Sequence, residues 1–285
     1  MTIQWYPGHM VKTQRLIKQF LPLVDLVIQL TDARAPLSTS LPQLGELIGS
    51  KDLIVLLNKA DLSDQSITSL WVEDFKKSGM TTFEINALKT KSVFRVLRYI
   101  EQKYKVKRRP ARCMVIGIPN VGKSSVINQL AGRKAARTGD VPGVTKGKMW
   151  LKAGSKLEVL DTPGILWPKF EDKSVGIKIA LLGCIKEELL DLNKLSLYLL
   201  EFLSETYPEK LQSRYKISLD RPTFDLLRQI AKNRGFLLSK GEEDLDRAAT
   251  TLIKEFRKGM LGAISLEKPG EKEGFWQNIS NQDSV

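Results

Sequence analysis

Long apolar runs, cysteine and histidine are what this 285-residue sequence has least of. No stretch approaches about 18 consecutive apolar residues, so no membrane span is expected. The two cysteines, Cys113 and Cys184, lie far apart; that excludes a disulfide framework and fits a reducing compartment, so a cytoplasmic location is expected. The first 30 residues carry His9, Lys12, Arg15, Lys18 and Asp25 at intervals with no uninterrupted apolar core, so an ordinary secretory signal peptide is not expected. Internal repeats and low-complexity tracts are also missing. Acidic residues are in deficit: 32 Asp and Glu stand against 45 Lys and Arg, a formal charge of +13. What is present is 42% hydrophobic residues, enough for real cores and for about two domains.

The charge is uneven. Residues 1–168 hold 26 Lys and Arg against 13 Asp and Glu, whereas residues 169–285 hold 19 of each. A basic part beside a neutral part points to a polyanionic partner, with plain solubility as the alternative.

The first part alternates apolar runs with helical patterns. Val24–Leu30, Leu53–Leu57, Thr81–Ile85, Cys113–Ile116 and Leu157–Leu160 read as strands, with Met149–Leu151 a sixth candidate; Leu41–Ile48, Gln65–Lys77, Ser92–Tyr104 and Lys123–Ala131 read as helices. This alternation predicts an α/β domain over residues 1–175, a mostly parallel sheet covered on both faces. From about Ser174 the spacing is helical, predicting a small all-helical domain over 176–285, and the Gly-, Pro- and charge-rich tail from Glu267 is expected to fray.

Gly117–Ser124 fits GxxxxGK[ST] between a strand and a helix, the context a phosphate-binding loop requires. Backbone amides around Asn120, Val121, Gly122, Lys123, Ser124 and Ser125 can cradle phosphate oxygens, Lys123 can reach the β- and γ-phosphates, and the Ser124 hydroxyl can hold magnesium. Asp161-Thr162-Pro163-Gly164 follows a strand: Asp161 suits a water-mediated magnesium contact and the Gly164 amide suits the γ-phosphate. Between them, the glycine-rich segment 138–148 reads as a switch loop or a mobile connector, with Thr145 the residue placed to meet magnesium and γ-phosphate. Asn58-Lys59-Ala60-Asp61 closes another strand. Asp61 can accept both donors on the guanine edge, which adenine lacks, a discrimination of about 10⁴-fold. Asn58 can bond the purine or tie loops together, the Lys59 stem can cover the base, and Asn86 with Ala87 can bring an amide to the guanine oxygen.

The motif order is base motif, phosphate loop, switch, DTPG, whereas in an ordinary small GTPase the phosphate loop comes first and NKxD follows. A parallel sheet with adjacent termini tolerates such circular permutation. With WYPGHM at residues 5–10, Thr31–Pro36 (TDARAP), NKAD, GIPNVGKSS, PGVT and DTPGILWPKFED, the chain resembles the circularly permuted GTPases of the YlqF/RbgA family over most of its length. The resemblance implies a P-loop GTPase fold with a helical C-terminal domain, GTP and GDP binding with Mg2+, and hydrolysis stimulated by the large ribosomal subunit late in its maturation.

Ras-type enzymes orient water with a Gln just after DxxG; here Ile165-Leu166 stands there. The resemblance implies that His9, the single histidine, takes a catalytic role beside Lys123 and Thr145, with a structural contact before the first helix as the alternative. Asn120 stands where related GTPases ligate a monovalent cation, so K+ is a further expected ligand, with loop bracing as the alternative. The cations at Lys103, Lys105, Lys107, Arg108, Arg109 and Arg112, and at Arg133, Lys134, Arg137, Lys146 and Lys148, suit ribosomal RNA phosphates or a solvated face. The TDARAP segment suits the nucleotide site or an RNA contact. The expected partners are the large subunit and its RNA, not DNA, and the expected state is a monomer. The competing reading is a nucleotide-regulated RNA-binding scaffold with little turnover.

Overall fold

A computed structural model of the chain describes residues 15, 17–41, 44–105, 109–132, 149–161, 172–271 and 275–276. Six strands form one sheet: β1 (Leu26–Asp32), β2 (Asp52–Asn58), β3 (Thr81–Glu84), β4 (Ala111–Ile116), β5 (Met149–Ala153) and β6 (Leu157–Asp161). Their order is β3-β2-β1-β4-β6-β5, parallel throughout except where β5 pairs antiparallel with β6. Parallel neighbours need crossover connections. The helices α1 (Leu44–Ile48), α2 (Gln65–Lys77), α3 (Thr90–Lys103) and α4 (Lys123–Ala131) lie in those crossovers. The expected mixed α/β class is the one observed.

Burial explains the sequence pattern. Every residue of β1 is buried, so the strand reads as a nearly unbroken apolar run rather than as an alternation. On α2, Ile67, Trp71 and Phe75 recur every fourth residue and pack with Ala33, Val55 and Leu57. The helix starts where the Asp64 carboxylate accepts hydrogen bonds from the Ser66 and Ile67 amides. Element ends differ from expectation by a few residues: Leu41 lies outside the first helix, and α3 spans Thr90–Lys103. Cys113 and Cys184 are both free and buried.

The chain divides into two units. One takes in the sheet together with Ser265–Gly270, and the other takes in Asp172–Ile264. The tail expected to fray from Glu267 does not do so there. Glu267 is 7% exposed, because its carboxylate accepts hydrogen bonds from the Leu37 and Ser38 amides and the Ser38 hydroxyl. The second unit contains α5 (Lys173–Leu181), α6 (Leu192–Thr206), α7 (Pro208–Tyr215), α8 (Thr223–Asn233) and α9 (Leu245–Arg257). Asp172, Asp191 and Asp244 cap α5, α6 and α9 by accepting hydrogen bonds from first-turn amides. Its only strand-like feature among the described residues is an isolated bridge, Leu237 to Glu243.

A buried carboxylate organises this helical unit. Glu255 of α9 accepts from both nitrogens of the Arg214 fork at 2.8 and 2.7 Å, from the Tyr215 hydroxyl at 2.9 Å and from Arg234 at 3.3 Å. The Arg214 hydrogen bonds, set against burial, hold its carboxyl below the usual range. The folded group thus titrates below the unfolded one. Its contribution is complete above the ordinary glutamate range near about pH 4 and is lost as pH falls through the lower folded value. Glu255→Gln should destabilise the unit by about 2–4 kcal/mol at neutral pH and flatten the acid loss of stability. Urea unfolding across pH checks this; an acid limb parallel to that of the native chain would contradict it.

Candidate functional site

The strand order reverses between β1 and β4, so the loops beyond their carboxyl ends diverge and leave a crevice, the usual ligand position in an open α/β sheet. The phosphate loop leaves β4 into this crevice. Two of its glycines are dictated by neighbours. A Cβ on Gly117 would lie 2.5 Å from the Leu30 carbonyl oxygen. Gly122 has φ +101°, and a Cβ there would lie 2.3 Å from Asn58 Nδ2. Asn120 also takes the left-handed conformation, φ +61°, which asparagine tolerates better than most residues. Only Gly117 and Gly122 therefore allow the loop to run this close to β1 and β2.

Helix α4 follows at once. Gly122 offers no side-chain cap, so the N-terminus of α4, whose first turn carries Ser124 and Ser125, presents its positive dipole end without a capping side chain. Lys123 is buried, and its ammonium donates to the Gly117 and Ile118 carbonyls at 3.0 Å each, lying across the loop's own concavity. Ser124 and Ser125 are half-buried in the first turn.

Asn58 joins this loop to the base motif. At 2% exposure it uses both ends of its amide: Nδ2 donates to the Val121 carbonyl at 2.7 Å, and Oδ1 accepts from the Ala87 amide at 2.9 Å. One side chain thus clasps the loops after β2, β3 and β4. Of the two roles open to Asn58, the structure displays the tie between loops. The Ala87 amide is occupied by this tie. Asn86 accepts from the Leu88 amide at 2.8 Å, and its own amide donates to Ser92 Oγ at 2.9 Å, which shapes the loop into α3. Asp61 is exposed.

The TDARAP segment lies at this same end of the sheet. Asp32, fully buried at the end of β1, accepts from Arg34 Nε at 2.9 Å and Nη2 at 2.8 Å and pairs with Lys59 Nζ at 2.9 Å. Burial pushes its carboxyl up, but the Arg34 and Lys59 charges outweigh this and hold it well below the usual carboxylate range. Lys59 itself sits at φ +59°. Asp32 and Arg34 are thus joined to the Asn58-Lys59 motif that follows β2. The partner that sequence reading missed is Glu267, which carries no local motif.

Asp161 ends β6 beside Val115 of β4, on the side of the sheet that carries the phosphate loop. His9, Thr145, Gly164 and the 138–148 segment lie outside the described residues, as do Lys107, Arg108, Arg133, Lys134, Arg137, Lys146 and Lys148. Of the described connector cations, three are engaged locally. Lys103 pairs with Asp52, Arg109 makes a two-nitrogen bond to Asp25, and Arg112 bonds Glu158 and lies 5.0 Å from the Trp150 ring centre. Among the described residues no group of three or more His, Cys, Asp or Glu side chains could form a metal site of its own. A divalent ion here would depend on phosphate oxygens with single protein donors, which is how magnesium is held in P-loop sites.

Gly122→Ala should disrupt the clasp, because the new methyl group displaces the Asn58 amide that joins three loops. The expected result is a GDP affinity weakened by about 100-fold, the loss of two hydrogen bonds. Calorimetric titration checks it; unchanged affinity would contradict the clasp.

Residues 112–222 match a family model described as a 50S ribosome-binding GTPase. Ribosome biogenesis GTPase A of Bacillus licheniformis is 42% identical, the match covering 94% of this chain and 99% of that protein. Ribosome biogenesis GTPase A of Thermotoga maritima is 33% identical over 94% of this chain and 95% of that one. The crystal structure of GNP-bound YlqF from T. maritima is similar at a TM-score of 0.66 and 30% identity, covering 91% of this chain and 99% of that one. With a phosphate loop, a base motif and a clasp between them, in permuted order, the chain belongs to the ribosome biogenesis GTPase A family: a GTP-hydrolysing enzyme that binds guanine nucleotide and serves ribosome assembly.

Proposed function

We propose that this GTPase acts late in maturation of the large (50S) ribosomal subunit, binding the subunit and its RNA according to nucleotide state, with hydrolysis stimulated by the subunit. The observation that carries the reading is the Asn58 clasp, which makes one pocket of the base loops and the phosphate loop. Residues 1–175 supply the pocket and the positive charge, and the helical domain over 176–285 follows the DTPG segment, its Ser265–Gly270 stretch lying with the sheet. The protein works as a monomer in the cytoplasm and has no DNA partner. Among the described residues no helix is long and apolar enough to cross a membrane.

The site's own residues divide the work. Asp61 accepts the two guanine donors, and the Lys59 stem covers the base. Asn86 and Ala87 line the base side, and Asn58 sets the distance between base and phosphates. Lys123 exchanges its carbonyl partners for β- and γ-phosphate oxygens, with the Asn120, Val121, Gly122, Ser124 and Ser125 backbone around them. The Gly164 amide reports the γ-phosphate. His9 orients the water whose oxygen attacks the γ-phosphorus, as the β–γ bridging bond breaks to give GDP and phosphate. Ser124, Thr145 and Asp161 hold the Mg2+ that, when bound, neutralises developing phosphate charge. Asn120 holds a K+ that adds charge where other GTPases use an arginine.

His9→Ala should lower subunit-stimulated turnover by about 100-fold while GTP affinity stays within a factor of two or so; turnover equal to that of the native chain would remove His9 from the mechanism. Asp61→Asn should shift preference from GDP toward xanthosine diphosphate, whose edge carries an acceptor where guanine has an amine. Equal rates in sodium and potassium would remove the K+ role. Co-sedimentation with large subunits should depend on whether GDP or a non-hydrolysable GTP analogue is bound, and should weaken with salt in proportion to the phosphates contacted. Equal, salt-insensitive binding with both nucleotides would refute the proposal.

A further inference from the structure

The guanine motif explains Asn58 and Asp61 but not the charged cluster behind Lys59, nor why its last support comes from the far end of the chain. Asp32 takes three hydrogen bonds from Arg34, counting the Arg34 amide at 3.1 Å, and a fourth contact from Lys59. Both ends of the Lys59 side chain are thereby fixed: its Cα by a left-handed backbone and its ammonium by a buried carboxylate. A lysine held only by solvent would sample many rotamers, and covering a base would cost that freedom at each binding event. The Asp32 anchor removes that cost in advance.

The anchor is braced in turn. The Leu266 amide donates to the Arg34 carbonyl at 2.7 Å. The Glu267 carboxylate takes the amides of Leu37 and Ser38 and the Ser38 hydroxyl, and the Glu267 carbonyl accepts from Trp71 Nε1 at 3.2 Å. Ser265 Oγ accepts from the Asp64 amide at 3.1 Å, at the start of α2. The segment Ser265–Gly270 is therefore a strap across the loop that holds Arg34 and Asp32. Its chain comes directly from Ile264 of the helical unit.

We propose that Asp32 is a positioning residue for guanine nucleotide, that it holds Lys59 in its base-covering pose, and that the strap through Glu267 keeps this anchor in place, so that docking of the strap sets how fast nucleotide leaves. The proposal rests on the assignment of Lys59 and Asp61 to the base.

The test is stopped-flow release of N-methylanthraniloyl-GDP from the full chain. Asp32→Asn would leave Arg34 buried with a weakened partner and endanger the fold, so Lys59→Met and Glu267→Ala carry the test. Lys59→Met keeps the stem and removes the anchor; release should quicken about tenfold. Glu267→Ala should quicken it by a similar factor, with Glu267→Gln restoring most of the native rate. The double variant should release no faster than Lys59→Met alone, since both act through one side chain. Direct binding of inorganic pyrophosphate, which engages only the phosphate loop, to the nucleotide-free chain should be the same in every variant when followed by calorimetry. Multiplying effects in the double variant, weakened pyrophosphate binding, or a native release rate in Glu267→Ala would each overturn the proposal. Asp61→Asn separates the two readings. If it quickens release and Glu267→Ala does not, the strap inference alone fails; if Asp61→Asn leaves GDP release unchanged, the base assignment itself fails.

Discussion

The Asn58 side-chain amide is the interaction on which the nucleotide site depends. It is one donor and one acceptor, both buried and both satisfied, and each is spent on a different loop. Its carboxamide is too short to span a gap, so the phosphate loop must come to it. That requirement reaches into Gly122, where any side chain would occupy the space of Nδ2. It reaches Gly117 as well, where the loop passes against the Leu30 carbonyl. The glycines of the phosphate-binding motif are usually explained by the approach of phosphate. Here the protein's own packing already demands them, before any ligand is considered.

The second constraint is electrostatic. Asp32, Arg34 and Lys59 place three formal charges at the buried end of a central strand, where an unpaired ion would cost several kcal/mol. The cluster is tolerable because the carboxylate is saturated and the guanidinium is bound through two nitrogens. A cluster of this kind has few alternative arrangements, which makes it a rigid foundation for a residue that must meet a flat ligand. It adds one net positive charge at the nucleotide end of the sheet. The connector before β4 contributes less positive field than its composition suggested, because Lys103, Arg109 and Arg112 face Asp52, Asp25 and Glu158.

How much of this could be read from the chain follows from sequence distance. β1 was legible because burial on both faces leaves a continuous apolar run, and the phosphate loop was legible because its residues are consecutive and flanked by the right elements. The roles proposed for Asp61 and Lys123 follow from chemistry at fixed spacing. Asn58 was half legible: its residue type allowed a tie between loops, but the two loops it joins are 29 and 63 residues away. Arg34 and Asp32 formed a recognisable segment whose purpose depended on the position of Lys59 in space. Glu267 was not legible at all. A Glu in a Gly- and Pro-rich tail has the composition of a solvated end, and only the turn after β1, 229 and 230 residues earlier, explains its burial. Pattern reading recovers what neighbours in sequence build together, and misses what the fold brings together at its close.

The strap has a consequence for how the molecule is made. Strands β1 to β3 emerge first during synthesis, the phosphate loop and β6 later, and the residues that brace the Arg34 loop only when 265 to 267 have been added. Contacts that span 196 and 229 residues form last, after the entropy of closing the intervening loop has been overcome. Until then the Arg34 loop lacks its partners Leu266 and Glu267. In a protein built this way, the final contacts of folding are also contacts of the binding site, and a finished pocket is itself a sign that the helical unit has already been synthesised.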